Sequence, residues 1–227
     1  MIDTALWLKK ERTLIINDLH LGYEEALHQK GILVPKFQIQ EIMQKLEHIL
    51  QKVMPQKMII NGDLKHEFGK VLRQEWKEVL QFLDFISSKI PEIIIIRGNH
   101  DPILPAIVKH RNIRVVKEYQ INNLLIVHGD ELVTTNAKTI IIGHEHPAIT
   151  LRHKSKHEKY KCFLVGKWQG KELIAVPSFN PLLEGTDILK ETVLSPFLEN
   201  IRNFKVYVVG KEEVFEFGKV RTIKTLA

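Results

Sequence analysis

Three aliphatic runs constrain this chain more than anything else in it: TLIINDLH (13–20), KMIINGD (57–63) and EIIIIRGNHD (92–101). Each is a short apolar stretch that stops abruptly at polar residues. Strict alternation would mark a strand with one wet face, whereas unbroken runs of this length mark strands buried on both faces. Segments of helical period lie between them. Residues 38–53 set Ile39, Ile42, Met43, Leu46, Ile49, Leu50 and Val53 on one face and Glu41, Lys45, His48 and Lys52 on the other, so His48 is predicted to be solvated. Residues 71–88 repeat the pattern through Leu72, Trp76, Val79, Leu83 and Ile86, which predicts Trp76 in the core. Strand, helix, strand, helix, strand implies βαβ crossovers. Beyond residue 112 the texture changes to short strands: IRVVKEYQ and LLIVHGD around the turn INN, then TIIIGHEH, AITLRH, KCFLVGKW, ELIAVPS and a closing hairpin at 204–218. The expected fold is α/β, with two sheets packed together and helices outside, in one domain spanning residues 1–227.

Composition narrows the setting. A 227-residue chain with 44% hydrophobic and 26% charged residues can bury roughly 70% of its extended-chain surface. The N-terminus has no cationic start followed by an apolar core, and no apolar run approaches the ~20 residues that span a bilayer, so neither secretion nor a membrane is expected. Cys162 is the sole cysteine, which rules out an intramolecular disulfide and suits a reducing, cytoplasmic setting. Its place in KYKCFLVG predicts a core thiol rather than a nucleophile. A net charge of +6 with pI near 9.2 favours an anionic partner. The stretch RHKSKHEKYK (152–161) concentrates Arg152, Lys154, Lys156, Lys159 and Lys161.

The polar residues that close the apolar runs form a series: Asp18 and His20 in NDLHLG, Asp63 in NGDLKH, Asn99, His100 and Asp101 in RGNHD, His128 in VHGD, His144 and His146 in GHEH. Ligands in open α/β sheets bind beyond the carboxyl ends of strands, so these residues are expected to converge. Asp18/His20 and His144/His146 are each spaced by two, which in extended chain puts both side chains on one side. Carboxylate, imidazole and carboxamide oxygen without thiolate suit Mn, Fe or Zn better than Ca or a structural zinc site. There are more donors than one ion needs, which predicts two ions about 3.5–4 Å apart. Asp63, alone at its strand end, is the candidate bridge.

The ordered series D-x-H, G-D, G-N-H-D, H-G and G-H-x-H resembles the calcineurin-like metallophosphoesterase superfamily. NDLHLGYE, NGDLKHEFG, RGNHD, VHGDE, GHEHPAI, PSFNPLLEGTD and FEFGKV are similar, more closely, to phosphoesterases related to the SbcD nuclease, including PdeM-type DNA endonucleases. The resemblance runs from about residue 3 to 222. It implies a four-layer α-β-β-α fold, with two mixed β-sheets packed as a sandwich between helices. It implies one metal on Asp18, His20, Asp63 and His146, and a second on Asp63, Asn99, His128 and His144. His100 matches a histidine that faces the scissile phosphate as acid or transition-state stabiliser, and Asp101 matches the acid that orients it. The implied reaction is in-line attack on phosphorus by a hydroxide held between two cations.

Substrate is less constrained. The basic stretch follows the last metal loop by one strand, and its return to the site rim would put Arg152, Lys154 and Lys156 on a phosphate backbone. His66 is a candidate for lining the substrate side. These features make nucleic acid the first choice, with a helicase or repair complex as the partner the resemblance implies, and a homodimer as a candidate assembly. Manganese is the expected metal, with Fe, Zn or Ni as alternatives. Two other functions compete: a small-molecule phosphomonoesterase or cyclic-nucleotide phosphodiesterase using the same metals, and a non-catalytic scaffold for a helicase or repair partner. A scaffold would be expected to lose ligands or His100, and this chain keeps them all.

Overall fold

The computed structural model describes residues 1–68, 72–109, 111–153, 156–211 and 213–223, with Arg152 and His153 described by backbone alone. The three aliphatic runs become β2 (Thr13–Asn17), β3 (Lys57–Asn61) and β4 (Glu92–Ile96), preceded by β1 (Leu6–Leu8). Helices α1 (Tyr23–Gln29) and α2 (Gln38–Lys52) connect β2 to β3, α3 (Arg73–Ser87) connects β3 to β4, and the single turn α4 (Leu104–Ile107) leads to β5 (Ile113–Val116). These strands form a sheet in the order β1-β2-β3-β4-β5, parallel except for β1.

The second sheet contains β6 (Glu118–Ile121), β7 (Leu124–Val127), β8 (Thr139–Ile142), β9 (Pro147–His153), β10 (Lys156–Trp168), β11 (Lys171–Ala175), β12 (Thr186–Asp187), β13 (Lys205–Val209) and β14 (Val214–Lys219). Its order is β12-β9-β10-β11-β8-β7-β6, with β13 branching from β10 and pairing with β14. The apolar run at 113–121 therefore serves both sheets: it leaves the first at Val116 and enters the second at Glu118.

Burial explains the unbroken isoleucines. Ile15, Ile59 and Ile94 point into the space between the sheets and meet Ile126, Ile141, Phe163 and Val176. Their neighbours Leu14, Ile16, Met58, Ile60, Ile93 and Ile95 point outward, under Ile42, Leu46 and Ile49 of α2 and Val79, Phe82, Leu83 and Ile86 of α3. Both faces are thus buried, as the runs required. Each fully buried Ile contributes about 1.5–3 kcal/mol relative to exposure.

The second sheet is covered differently. Over its outer face, Leu125, Ile140, Leu164 and Val206 pack against Ile188, Phe197, Leu198 and Phe204, which lie in irregular chain with one 3-10 turn at Pro196–Leu198. The outermost layer on that side is built without an α-helix among the described residues. Cys162 lies wholly buried on β10, its thiol pushed up by burial and by Asp187.

Helix α3 corrects one expectation. Its buried residues include Glu75 and Glu78, while Trp76 is 39% exposed. The helix is rotated so that two carboxylates, rather than the indole, face inward. His48 is exposed on α2, as predicted. No helix among the described residues is long and apolar enough to cross a membrane.

Register places the polar strand ends together. Asn17, Asn61 and Ile96 are paired across β2, β3 and β4, so the loops that follow start at one level. In the second sheet β7, β8 and β11 run parallel and also end at a common edge. Asn61 Nδ2 donates to Val127 O at 2.9 Å, tying the two sheets at that edge.

Candidate metal centre

Beyond this edge, Asp18, His20 and His146 each offer a donor atom within 4.8 Å of the others, and so do Asp63, His128 and His144. Asp63 stands between the groups: its Oδ2 is 3.6 Å from His20 Nε2 and 3.4 Å from His128 Nε2. His128 Nε2 is also 3.0 Å from Asn99 Oδ1 and 3.2 Å from His144 Nδ1. His146 Nε2 lies 3.5 Å from Asp18 Oδ2. Seven residues from five loops thus meet at the common edge of the two sheets.

The spacing-by-two arrangement is achieved by a different backbone from the one expected. Asp18, His20, Asp63, His144 and His146 all have positive φ, between 38° and 62°, and none lies in a strand. Left-handed, non-extended loops aim them. Asp18 and His20 do face one centre, but His144 and His146 divide between the two groups. Non-glycine residues in such conformations cost of order 1–3 kcal/mol each and cluster at functional sites. Five of the nine non-glycine residues with positive φ are here, so the strain is concentrated at one place.

Glycines supply the room. A Cβ on Gly62, which has φ of 82°, would fall on the His128 ring. A Cβ on Gly98 would fall on the Asp63 carboxylate, although Gly98 itself is not left-handed. Gly98 is therefore required by close approach rather than by the turn.

The residues fit divalent cations on three grounds. Donor atoms 3.0–3.6 Å apart are at the separations expected of ligands about 2.0–2.2 Å from a common centre. Asp18 Oδ1, His20 Nε2 and His146 Nε2 are buried without a hydrogen-bond partner, and such orphaned polar atoms are costly unless something satisfies them. The donor types are those of Mn, Fe or Zn sites. Electrostatics agree. Burial, then His146, hold the His20 imidazole well below its usual range despite Asp63, keeping the neutral form that ligates. Burial would raise Asp63, but its bond to His128 and the charges of His128, His20 and His100 hold it well below the usual carboxylate range. His128 differs: burial depresses it, yet its bond to Asp63 and the charges of Asp18 and Asp63 outweigh this and raise it to about 9, so the carboxylates favour a cation here and a metal ion would have to displace the proton.

His100 belongs to neither of these two groups; with His20 and His66 it makes a third set of donor atoms within 4.8 Å of one another. Its Nδ1 donates to His66 O, which leaves Nε2 facing the centre, 3.9 Å from Asp63 Oδ2. Its backbone N–H donates to Asp63 Oδ1 at 3.0 Å. Asp101 departs from the role expected of it. Its carboxylate is fully buried and turns away from His100, accepting from the backbone amides of Leu64, Lys65 and Gly98 at 3.1–3.3 Å. It ties the loop after β3 to the loop after β4, and the acceptor for His100 is the carbonyl of His66. Burial and the charge of Asp63 push the Asp101 carboxyl up to about 7, against the pull of those amides. His66 lies beside the centre, its Nδ1 3.4 Å from His20 Nδ1, and burial and His100 lower it to about 4.

Several buried charged residues that hold this centre had no sequence signal. Glu75 Oε1 accepts from the N–H of His66 and Glu67 at 2.9 and 2.8 Å. Glu78 Oε2 accepts from Gly22 N at 2.9 Å. Glu24 Oε1 accepts from Phe37 and Gln38 N–H at the start of α2, and Gln38 Nε2 donates to His20 O at 2.8 Å. Glu145, between the two ligand-type histidines, accepts from Leu194 and Ser195 N–H. Lys161 donates to Ser178 O at 2.8 Å and to Asn180 O, and Ser178 Oγ donates to Asp18 O at 2.8 Å. Asn180 accepts from Leu182 N–H through its side chain, so the Asn-Pro pair is a turn.

The described part of the basic stretch runs away from the rim. β9 begins immediately after His146 and pairs with β10 down to His153 opposite Lys156, so the hairpin tip lies roughly 20 Å along the strand from the centre at ~3.3 Å per residue. Exposed Lys156 sits at that tip; Lys154 falls outside the described residues, as does the Arg152 side chain. Lys159 is engaged by Gly185 O and Glu191. The opening beside the centre is a cavity of about 530 Å³ lined by Arg97, Asn99, Lys117, His128, Asp130 and Glu131.

Comparison with known proteins matches this architecture. No curated protein matches the chain in sequence. Among solved structures, the Pseudomonas putida nuclease MPE superposes with a TM-score of 0.67 at 19% identity, covering 94% of this chain and 92% of its own. The E. coli phosphoesterase YfcE aligns over 89% of this chain and 95% of its own at 15% identity, with a TM-score of 0.45. The likeness to the nuclease establishes the fold. The sequence profile of the calcineurin-like phosphoesterases matches residues 11–210, and with the site's His/Asp groups this makes the chain a member of the calcineurin-like phosphoesterase family, a metal-dependent hydrolase.

Proposed function

We propose that the chain hydrolyses phosphodiester bonds in nucleic acid with two divalent cations, manganese foremost, and that it belongs with the SbcD-related, PdeM-type phosphoesterases. The observation that carries the two-ion reading is the position of Asp63 Oδ2, within 3.4–3.6 Å of a histidine from each donor group. One ion would be held by Asp18, His20, Asp63 and His146, the other by Asp63, Asn99, His128 and His144. Bound there, divalent cations would supply Lewis-acid stabilisation of a phosphoryl group and an acidified water.

The chain's own groups do the rest. His100 presents Nε2 toward the centre, 3.9 Å from Asp63 Oδ2, where a phosphoryl oxygen or leaving oxygen would sit. Its Nδ1–H is fixed on the His66 carbonyl, so Nε2 can donate only when the ring is an imidazolium. Asp63, through the N–H of His100, fixes the ring's distance from the donor groups. A net charge of +6 and the fold shared with a nuclease support a nucleic-acid substrate.

The test assays purified, Mn-loaded protein on labelled single- and double-stranded DNA and RNA beside an aryl phosphodiester. Salt-sensitive cleavage of a polynucleotide is expected. Hydrolysis of the aryl ester alone, without binding of any polynucleotide, would refute the nucleic-acid substrate.

A further inference from the structure

Phe68 is an aromatic side chain left 57% exposed, and it lies against the centre. Its ring centroid is 3.7 Å from that of His100, with the planes tilted by 41°. The other exposed aromatic residues, Trp76 on α3 and Phe215 and Phe217 on the edge strand β14, do not share this position. The segment that delivers Phe68 is held firmly. The N–H of His66 and Glu67 donate to Glu75, His66 N–H also donates to Leu21 O at 3.0 Å, and buried Lys65 donates to Glu67 O. Two further rings lie around His100: His66 stacks on it at 5.7 Å and 29°, and Tyr23 packs edge-on against His66 at 4.8 Å.

We propose that Phe68, with His66 and Tyr23 beside it, is a stacking platform for the nucleobase of the nucleotide whose phosphate faces His100. The proposal rests on the nucleic-acid reading above and deepens it by naming the ligand as an unpaired nucleotide. A base is planar and about as large as a phenyl ring, and stacking tolerates any base because every base has a π face. A paired base in a duplex has both faces covered by its neighbours, so the platform selects single-stranded or frayed substrate. Contact between the Phe68 and His100 rings sets the stacked base within one nucleotide of the group that faces the phosphate.

The test measures inhibition of aryl phosphodiester hydrolysis in the Mn-loaded enzyme by two probes, thymidine 5′-monophosphate and 2-deoxyribose 5-phosphate. They share sugar and phosphate and differ in the base. In Phe68→Ala the Ki of the nucleotide should rise roughly tenfold, with that of the sugar phosphate unchanged, and Phe68→Trp should restore tight nucleotide binding. Equal weakening of both probes, no weakening of either, or a loss of kcat without a change in Ki overturns the platform. Cleavage of a single-stranded oligonucleotide by the unaltered enzyme is scored separately. Absence of that cleavage together with base-selective inhibition lost in Phe68→Ala would sink the nuclease reading and leave the platform standing.

Discussion

The two halves of the centre are braced in opposite ways. On the side of Asp18, His20, Asp63 and His100, the cover is helical, and side chains of the cover reach into the loops: Glu75 holds residues 66–67, Glu78 holds Gly22, and Gln38 holds the His20 carbonyl. On the side of His128, His144 and His146, the cover is irregular chain, and a side chain of the loop reaches out to it: Glu145 gathers the amides of Leu194 and Ser195. The difference follows from where free amides exist. A helix interior has none to offer, so its glutamates must seek them in the loops. Irregular chain has amides to spare, and the loop supplies the acceptor.

The largest effect is expected from Asp63→Asn, which weakens the side chain that stands between the two donor groups. Its metal content, by elemental analysis, should fall below two ions per chain, and phosphodiester hydrolysis should fall roughly a thousandfold or more. His100→Ala comes next: it should retain the full metal content and lose turnover by about 10²–10⁴-fold. Normal turnover with intact metals would remove His100 from the chemistry.

The braces themselves should separate. Groups that orient metal ligands typically cost about 10–100-fold when lost. Glu75→Gln frees the segment whose carbonyl holds His100, so kcat should fall by about tenfold at saturating metal. Glu145→Gln loosens the support of His144 and His146, so the cost should appear instead in the metal concentration needed for half-activity. If both variants show the same pattern, the two halves are not braced independently.

A smaller effect concerns pH in chelator-treated protein. His66 is near 6.5 when unfolded and lowered to about 4 in the fold by burial and His100. Unfolding therefore takes up a proton between those values, so this contribution to stability is complete above about pH 6.5 and lost as pH falls toward 4. Melting temperature should drop between about pH 7 and pH 5, and His66→Gln should make that slope shallower.

The sheets and the ligand-type residues were legible in the chain because both follow local rules. Isoleucine runs demand two buried faces, and polar residues after them mark strand ends. What was not legible depends on pairs far apart in sequence. Nothing in the helical pattern marks Glu75 and Glu78 for burial; only the amides of the Gly22 and His66 loops do so, and that burial turns Trp76 outward. Asp101 read as a neighbour of His100, but the amides of Leu64 and Lys65, from the preceding strand's loop, draw it inward. Lys161 read as part of a basic surface and instead holds the Ser178 loop beneath Asp18. The described ends of the basic hairpin, His153 and Lys156, lie away from the centre for a simpler reason: strand length carries them from His146.

The central claim is that Asp63 joins two ions in one centre. Electron paramagnetic resonance of the protein titrated with manganese tests it directly. Saturation at two ions per chain, with the spin-coupled spectrum of a close pair that Asp63→Asn abolishes, is the expected result. Saturation at a single ion, or two ions with the spectrum of isolated manganese, would contradict it.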